Sequence, residues 1–273
     1  MVCSKCNAEI PQDENFLYNS EFSCPKCGYI IKSISSVDNS QGMKTRQEIK
    51  AQAKAAFIKQ YGTAILLVLI YTVFILIQYY FESISENQIY DATPLFLAIP
   101  LLALIIVIII NMTGEFFKIY NNEKAAVGMM FSGLKINFFR KLGGMLWMIL
   151  WIYIWMLLLI IPGIVKYFAY YFTSYILAVH PKVTALEAIK ISMRITQGYK
   201  WEIFIFTLSW LGWLLLSVLT CGILYLLYVG PYYLTAEAGL FYEMRNKALA
   251  DGRITHEELG MEKESRHEII TGE

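Results

Sequence analysis

The sequence predicts an all-α polytopic membrane protein, with six transmembrane helices in helix-plus-hairpin repeats and a small zinc ribbon at its amino terminus. Three observations predict it. Hydrophobic residues make up 57% of the chain and charged ones only 16%; successive apolar runs fill residues 61–240; and a pair of CxxC elements stands ahead of them. A composition this apolar exceeds what a water-soluble core needs and makes the bilayer the natural solvent. Residues 1–60 and 242–273 carry most of the charge, and neither contains an apolar stretch of roughly 18 residues. The net charge of +1 gives no bulk attraction to a polyanion. Met1 leads straight into Cys3 and Cys6, so no cleavable leader is expected and the first membrane helix directs insertion.

Residues 1–32 form the expected ribbon. "CSKC" places Cys3 and Cys6, and "CPKCG" places Cys24 and Cys27, with seventeen residues between the pairs. Each CxxC knuckle turns two thiolates to one side, and two facing knuckles make the tetrahedral sulfur cage of a structural Zn2+. Gly28 suits the positive φ that often follows such a knuckle. "NFLY" and "EFSC" read as short strands between the pairs. A ribbon this small buries too little core, so the metal supplies on the order of 10 kcal/mol of its stability. Two disulfides or a redox pair are the alternatives; no thioredoxin-like pattern follows, and the topology below puts the head in the reducing cytosol. Three lysines against four acids give the head 3 − 4 = −1, which fits a cytoplasmic protein partner and no nucleic acid. Residues 33–43, small and polar, form a linker.

Residues 44–247 are the expected six-helix membrane domain with cytoplasmic amphipathic helices. The apolar runs are Tyr61–Phe81, Leu95–Met112, Gly144–Ile161, Ile164–Val179, Ile203–Leu219 and Ile223–Leu240. At 1.5 Å per residue they reach roughly 24 to 31 Å, close to the hydrocarbon thickness. Fusing the third with the fourth, or the fifth with the sixth, would give helices of about 54 Å. Pro162–Gly163 and Cys221–Gly222 are therefore read as the bends of tight helical hairpins. Cation placement tests this independently, because positive residues stay on the cytoplasmic side. With six spans, 22 of the 23 lysines and arginines fall inside and only Lys166 does not. Both termini are then cytoplasmic, and residues 248–273 read as a polar, solvated tail.

An offset of 222 − 163 = 59 superposes the two bends and pairs Lys135 with Arg194, Lys141 with Lys200 and Trp151 with Trp210. Each unit is an amphipathic cytoplasmic segment followed by a hairpin. The clearest segment stops the fourth span at His180 and Pro181 and restarts with a capping box, Thr184 and Glu187. It is expected to lie flat on the inner leaflet. "RQEIKAQAKAAFIKQYG" before the first span has a similar character. Lys50, Lys54, Lys135, Lys190, Arg194 and Lys200 are the candidate contacts to anionic lipid or a partner, at about 1 kcal/mol per cation near a charged surface. Lys166 and Glu237 are the candidate intramembrane polar residues. Lys166 either snorkels to the outer headgroups or anchors inside the bundle.

The stretch "LLLIIPGIVKYFAYYFTSYILAVHPKVTALEAIKISMRITQGYKWEIF", followed by "SWLGWLLLSVLTCGILYLLYVGPYY" and "FYEM", resembles the bacterial membrane family called domain of unknown function 975. It is more distantly similar to the membrane domain attached to some glycerophosphodiester phosphodiesterases. The likeness covers about residues 44–247, carried by Ile161–Gly163 and Gly198–Glu202; the ribbon lies outside it. The resemblance implies a multi-pass protein of the bacterial inner membrane. A non-enzymatic adaptor or envelope-homeostasis module uses every feature found, with a transporter or lipid-handling protein as the alternative. No HExxH, GxSxG or GxxxxGK is present, and His180, His256 and His267 fall in a helix break and the tail, so no enzyme is expected. Neither a substrate nor an oligomeric state is legible.

Overall fold

A computed structural model describes residues 43–87, 93–132, 134 and 137–261, together with the backbone of residues 21–23 and 30–32. Cys3, Cys6, Cys24, Cys27 and Lys135 lie outside the described residues. The chain divides into two compact units, Met1–Gly42 and Met43–Glu273. In the first, β1 (Glu21–Ser23) pairs antiparallel with β2 (Ile30–Lys32), with Phe22 opposite Ile31. The strand expected at "EFSC" is therefore present, and the sequence between the two strands is the one that carries the second cysteine pair.

Among its described residues the second unit contains helices joined by turns and short irregular segments, and no strand. Its elements are α1 (Arg46–Lys59), α2 (Tyr61–Asn87), α3 (Thr93–Tyr120), α4 (Val127–Ser132), α5 (Phe138–Leu158), α6 (Ile160–Ala169), α7 (Thr173–Val179), α8 (Ala185–Ile195), α9 (Lys200–Leu208), α10 (Leu211–Leu219), a π-helical turn (Tyr225–Val229) and α11 (Gly230–Ala250). In this order α1, α4 and α8 each precede further helices rich in apolar residues. Among the described residues, four helices are long and apolar enough to cross a membrane: Tyr61–Ile84, Ala98–Tyr120, Phe138–Leu158 and Lys200–Leu219.

The first expected bend is displaced. Pro162 and Gly163 sit inside the first turn of α6, and the chain breaks at Leu159, whose φ of −159° and ψ of 132° are extended. Proline lacks only an amide hydrogen that a first helical turn leaves unbonded, so Pro162 starts the second leg instead of ending the first. Gly163 has a different role from the one its sequence suggests. A Cβ there would stand 2.5 Å from Met156 Cγ and 2.9 Å from Met156 Cα, so the missing side chain lets the two legs touch. The second bend falls where expected, at Cys221 (φ 50°) and Gly222 (φ 84°).

The expected fourth leg is not one helix. It is split into α6 and α7 by a turn at residues 170–172, and neither piece reaches the length of a bilayer. The second and sixth runs continue past their expected inner ends, as α3 to Tyr120 and α11 to Ala250. The extension is explained by packing. Phe117, Tyr175 and Phe172 all bring their rings within 5.6 Å of Phe241, and Gly239 meets the ring of Tyr120. This aromatic cluster joins the extended ends of α3 and α11 to α7 and the turn before it, and its fully buried members Tyr120, Phe172, Tyr175 and Phe241 belong to the main core.

The amphipathic helices are also corrected. Both have capping boxes, Thr45 with Glu48 for α1 and Thr184 with Glu187 for α8. Their apolar faces are buried in protein and not left for lipid: Ile49, Ala53, Ala56 and Phe57 of α1, and Ala188, Ile191 and Ile195 of α8, belong to the main core. α1 packs along α11, and α8 packs on α5, α7 and α11. The first part of the expected solvated tail is ordered as well, since Ile254 and Leu259 are buried in that core. Residues 262–273 lie outside the described residues.

Candidate functional site

The cationic face predicted for lipid or partner resolves into different environments. Lys54 and Lys190 are exposed, and Lys200 is half-buried. Lys50 is engaged: its Nζ donates to Ser209 Oγ at 2.7 Å and lies 4.4 Å from the Trp210 ring centre, while Tyr232 donates to its carbonyl at 3.2 Å. Burial, then the neighbouring Arg46, lower its pKa. Arg194 pairs with Glu258 at 2.8 Å.

A cleft of about 340 Å³ opens between α8 and residues 257–260. Its cations Lys182, Lys190 and Arg194 are balanced by Glu187, Glu257 and Glu258. Glu187 already accepts from Thr184, and Glu258 from both Arg194 and the Thr255 amide. The cleft is zwitterionic, which suits a polar protein surface better than a phosphate.

Two arginines missed by sequence reasoning hold this face together. Arg140 donates to the carbonyls of Leu177 at 2.8 Å, His180 at 3.3 Å and Val183, closing the C-terminus of α7. Arg253 donates to the carbonyls of Arg194, Ile195 and Gln197 at 2.9 to 3.1 Å, closing the C-terminus of α8. Lys59 and Gln60 bond Asn122 and Glu123, and Lys44 pairs with Glu243 at 2.8 Å. Lys141, buried at the start of α5, donates to Asn111 Oδ1, whose amide donates to the Met130 carbonyl at 2.9 Å. His180, also buried, has its pKa pushed down to about 4, first by burial and then by Arg245, against a hydrogen bond with the Leu259 backbone.

Of the two predicted intramembrane polar residues, Lys166 lies over the rings of Trp155 and Tyr170, at 5.1 and 5.8 Å. Glu237 is at a different place and does not pair with it. Its Oε2 accepts from Tyr175 at 3.2 Å, and the Tyr171 hydroxyl, 3.0 Å from that of Tyr233, is within reach of the same carboxylate. Tyr167 and Tyr225 stand within electrostatic range of it. The arrangement is an acid among phenol hydroxyls. Glu237 was legible as an acid inside an apolar run, and Tyr233, four residues before it on α11, shares its face; the other tyrosines come from α6, the turn before α7, α7 and the π turn, and the first three lie at separations that no local pattern reports.

No curated protein and no solved structure matches the chain. Residues 141–248, from the start of α5 to near the end of α11, match the family described as "Protein of unknown function (DUF975)", and over that segment the chain is similar to this family.

Proposed function

We propose that the chain is a membrane-embedded adaptor, or envelope-homeostasis module, of the bacterial inner membrane. Six passes leave both termini in the cytoplasm, and a zinc ribbon on a linker recruits a cytoplasmic protein to the charged inner face. The observation that carries this reading is the β1–β2 hairpin, whose strands flank the sequence Cys24 to Gly28 and belong to a unit separate from the helical body. Strands meeting around such an element fit a zinc knuckle. Cys3, Cys6, Cys24 and Cys27 would hold the ion, and four thiolates would leave it no open position for catalysis.

Support for six passes comes from the pins at the helix ends. Gln60 binds the chain that leaves α3, Arg140 binds the chain that leaves α7, and Lys44 binds the end of α11. The first two hairpins are thereby tied where they begin to where they end, as a leg pair crossing out and back requires, and Lys44 ties the start of α1 to Glu243 of α11. The experiment is photocrosslinking from a residue of the ribbon in native membranes, with and without a zinc chelator. A partner captured only in the metal-loaded state is expected; an unchanged crosslinking pattern, with zinc shown to be bound, overturns the adaptor reading.

The Glu237 cluster favours a second reading, a transporter or lipid-handling protein, because acids within a membrane body concentrate at binding sites. Substrate-dependent flux in vesicles that is lost on altering Glu237 would replace the first reading with this one.

A further inference from the structure

We propose that the Glu237 carboxylate and the hydroxyls of Tyr171, Tyr175 and Tyr233 form a binding site for a single monovalent cationic group, an alkali ion or the ammonium of a lipid headgroup. This names the ligand of the cluster on which the second reading rests, and it holds whether or not anything crosses the bilayer.

The charge balance of α11 is the first argument. Glu243 pairs with Lys44 at 2.8 Å and Lys247 with Asp251 at 3.0 Å. Arg245 lies over the rings of Phe117, Phe241 and Tyr242 at 5.2 to 5.8 Å. Glu237 has no such match: among the described residues, no lysine or arginine forms an ion pair with it. A carboxylate away from water and without a countercharge is costly. A single positive charge cancels that cost, whereas a divalent ion would leave an excess charge in the same place.

The ligand atoms are the second argument. They are all oxygens, the preference of alkali cations and of ammonium donors. Each hydroxyl has lone pairs to offer while its hydrogen is given elsewhere. Tyr175 bonds Glu237 at 3.2 Å and approaches the Leu234 carbonyl at 3.5 Å, and Tyr171 bonds Tyr233 at 3.0 Å. The carboxylate thus carries a prearranged set of phenol groups from α7, from the turn before it and from α11.

Access is the third. Glu237 is half-buried, and Tyr167 and Tyr225 beside it are exposed on the apolar surface, so the cluster is not sealed inside the core. The π turn Tyr225–Val229 begins at one of these tyrosines, and a Cβ on Gly230 would stand 2.9 Å from the Tyr225 carbonyl. Such π-helical irregularities recur at binding sites, where they turn side chains away from regular helical spacing.

Full-length protein in phosphatidylglycerol nanodiscs is melted across a titration of sodium or potassium chloride, with choline chloride holding ionic strength constant. A parallel series replaces part of the lipid with phosphatidylethanolamine. A saturable rise in Tm of about 5 °C or more is expected in one of the two series. A rise with the metal salt identifies a free ion, and a rise with ethanolamine lipid alone identifies the headgroup. Glu237→Gln is expected to abolish the rise. The double variant Tyr171→Phe, Tyr175→Phe keeps the rings, removes two oxygens and is expected to weaken the half-saturation concentration at least about 10-fold, so the test survives if the Gln variant does not fold. No rise in either series, or the same rise in the substituted proteins, overturns the proposal. Binding without flux would leave the site intact and remove only the transport reading.

Discussion

His180 ends α7 with its ring packed in protein, 4% exposed, and its Nε2 has no hydrogen-bond partner. Burial and Arg245 hold its folded pKa near 4, below the ordinary value of 6.5. The unfolded chain therefore binds the extra proton first. Stability is fully present above pH 6.5 and is lost as the pH falls from there towards 4, by roughly 3 kcal/mol if the whole difference is expressed. Melting in detergent between pH 7.5 and 4.5 is expected to show this decline, and His180→Gln to flatten part of it. Gly239 makes a steric prediction at the same scale. A Cβ there would lie 2.3 Å from Tyr120 Cε2, on a ring that is itself fully buried. Gly239→Ala is expected to destabilise by about 1 to 3 kcal/mol, because overpacking of this kind shifts a rigid ring and not a flexible chain end. A melting temperature equal to that of the unsubstituted protein would show that Tyr120 can move aside.

Helix starts and helix ends were unequally legible. The capping box of α8 is local, with Thr184 and Glu187 three residues apart, and could be read directly; the structure forms it, with Thr184 Oγ1 accepting from the Glu187 amide at 3.4 Å. The box of α1, Thr45 with Glu48, has the same form and was overlooked. The ends of α7 and α8 depend instead on Arg140 and Arg253, which lie 37 to 43 and 56 to 59 residues from the carbonyls they bind. No window of sequence reports such partners. The bend at Leu159 was missed for a related reason: proline marks a helix boundary without saying on which side of it the break falls. Charged hydrogen bonds contribute about 1.5 to 3 kcal/mol each as an upper range. Arg253→Ala, which uncaps α8 and releases residues 254–259 together, is expected to cost about 2 kcal/mol and to raise amide hydrogen exchange in α8 and that segment before the rest of the body. Uniform exchange across the whole protein would instead assign Arg253 to global stability.

At the scale of the whole molecule, the amphipathic pattern of α1 and α8 was read correctly but its partner was not, because a buried protein face and a lipid face look alike in periodicity. The main core accordingly takes in the buried faces of α1 and α8 together with residues of α3 and α11. The apices of the other legs are among the most exposed apolar positions, from Leu157 to Ile161 and at Leu219 and Ile223. This division supports an orientation in which the pinned, charged end faces the cytoplasm and the two apolar apices reach the opposite surface. Thiols test it at sites the structure can tolerate. Gly163 is a poor probe, since any side chain there meets Met156, whereas Leu157 is 90% exposed at the first apex. The second apex has its own thiol, the exposed Cys221. A membrane-impermeant maleimide applied to intact spheroplasts is expected to label Cys221, and to label Leu157→Cys in a Cys221→Ser background. Lys54→Cys, on the exposed side of α1, should react only after permeabilisation. Reaction of Lys54→Cys in intact spheroplasts with protection of both apices would reverse the orientation. Protection of Leu157→Cys alone would mean that α5 and α6 turn back within the bilayer, leaving α2, α3 and the two legs that flank Cys221 as the full crossings.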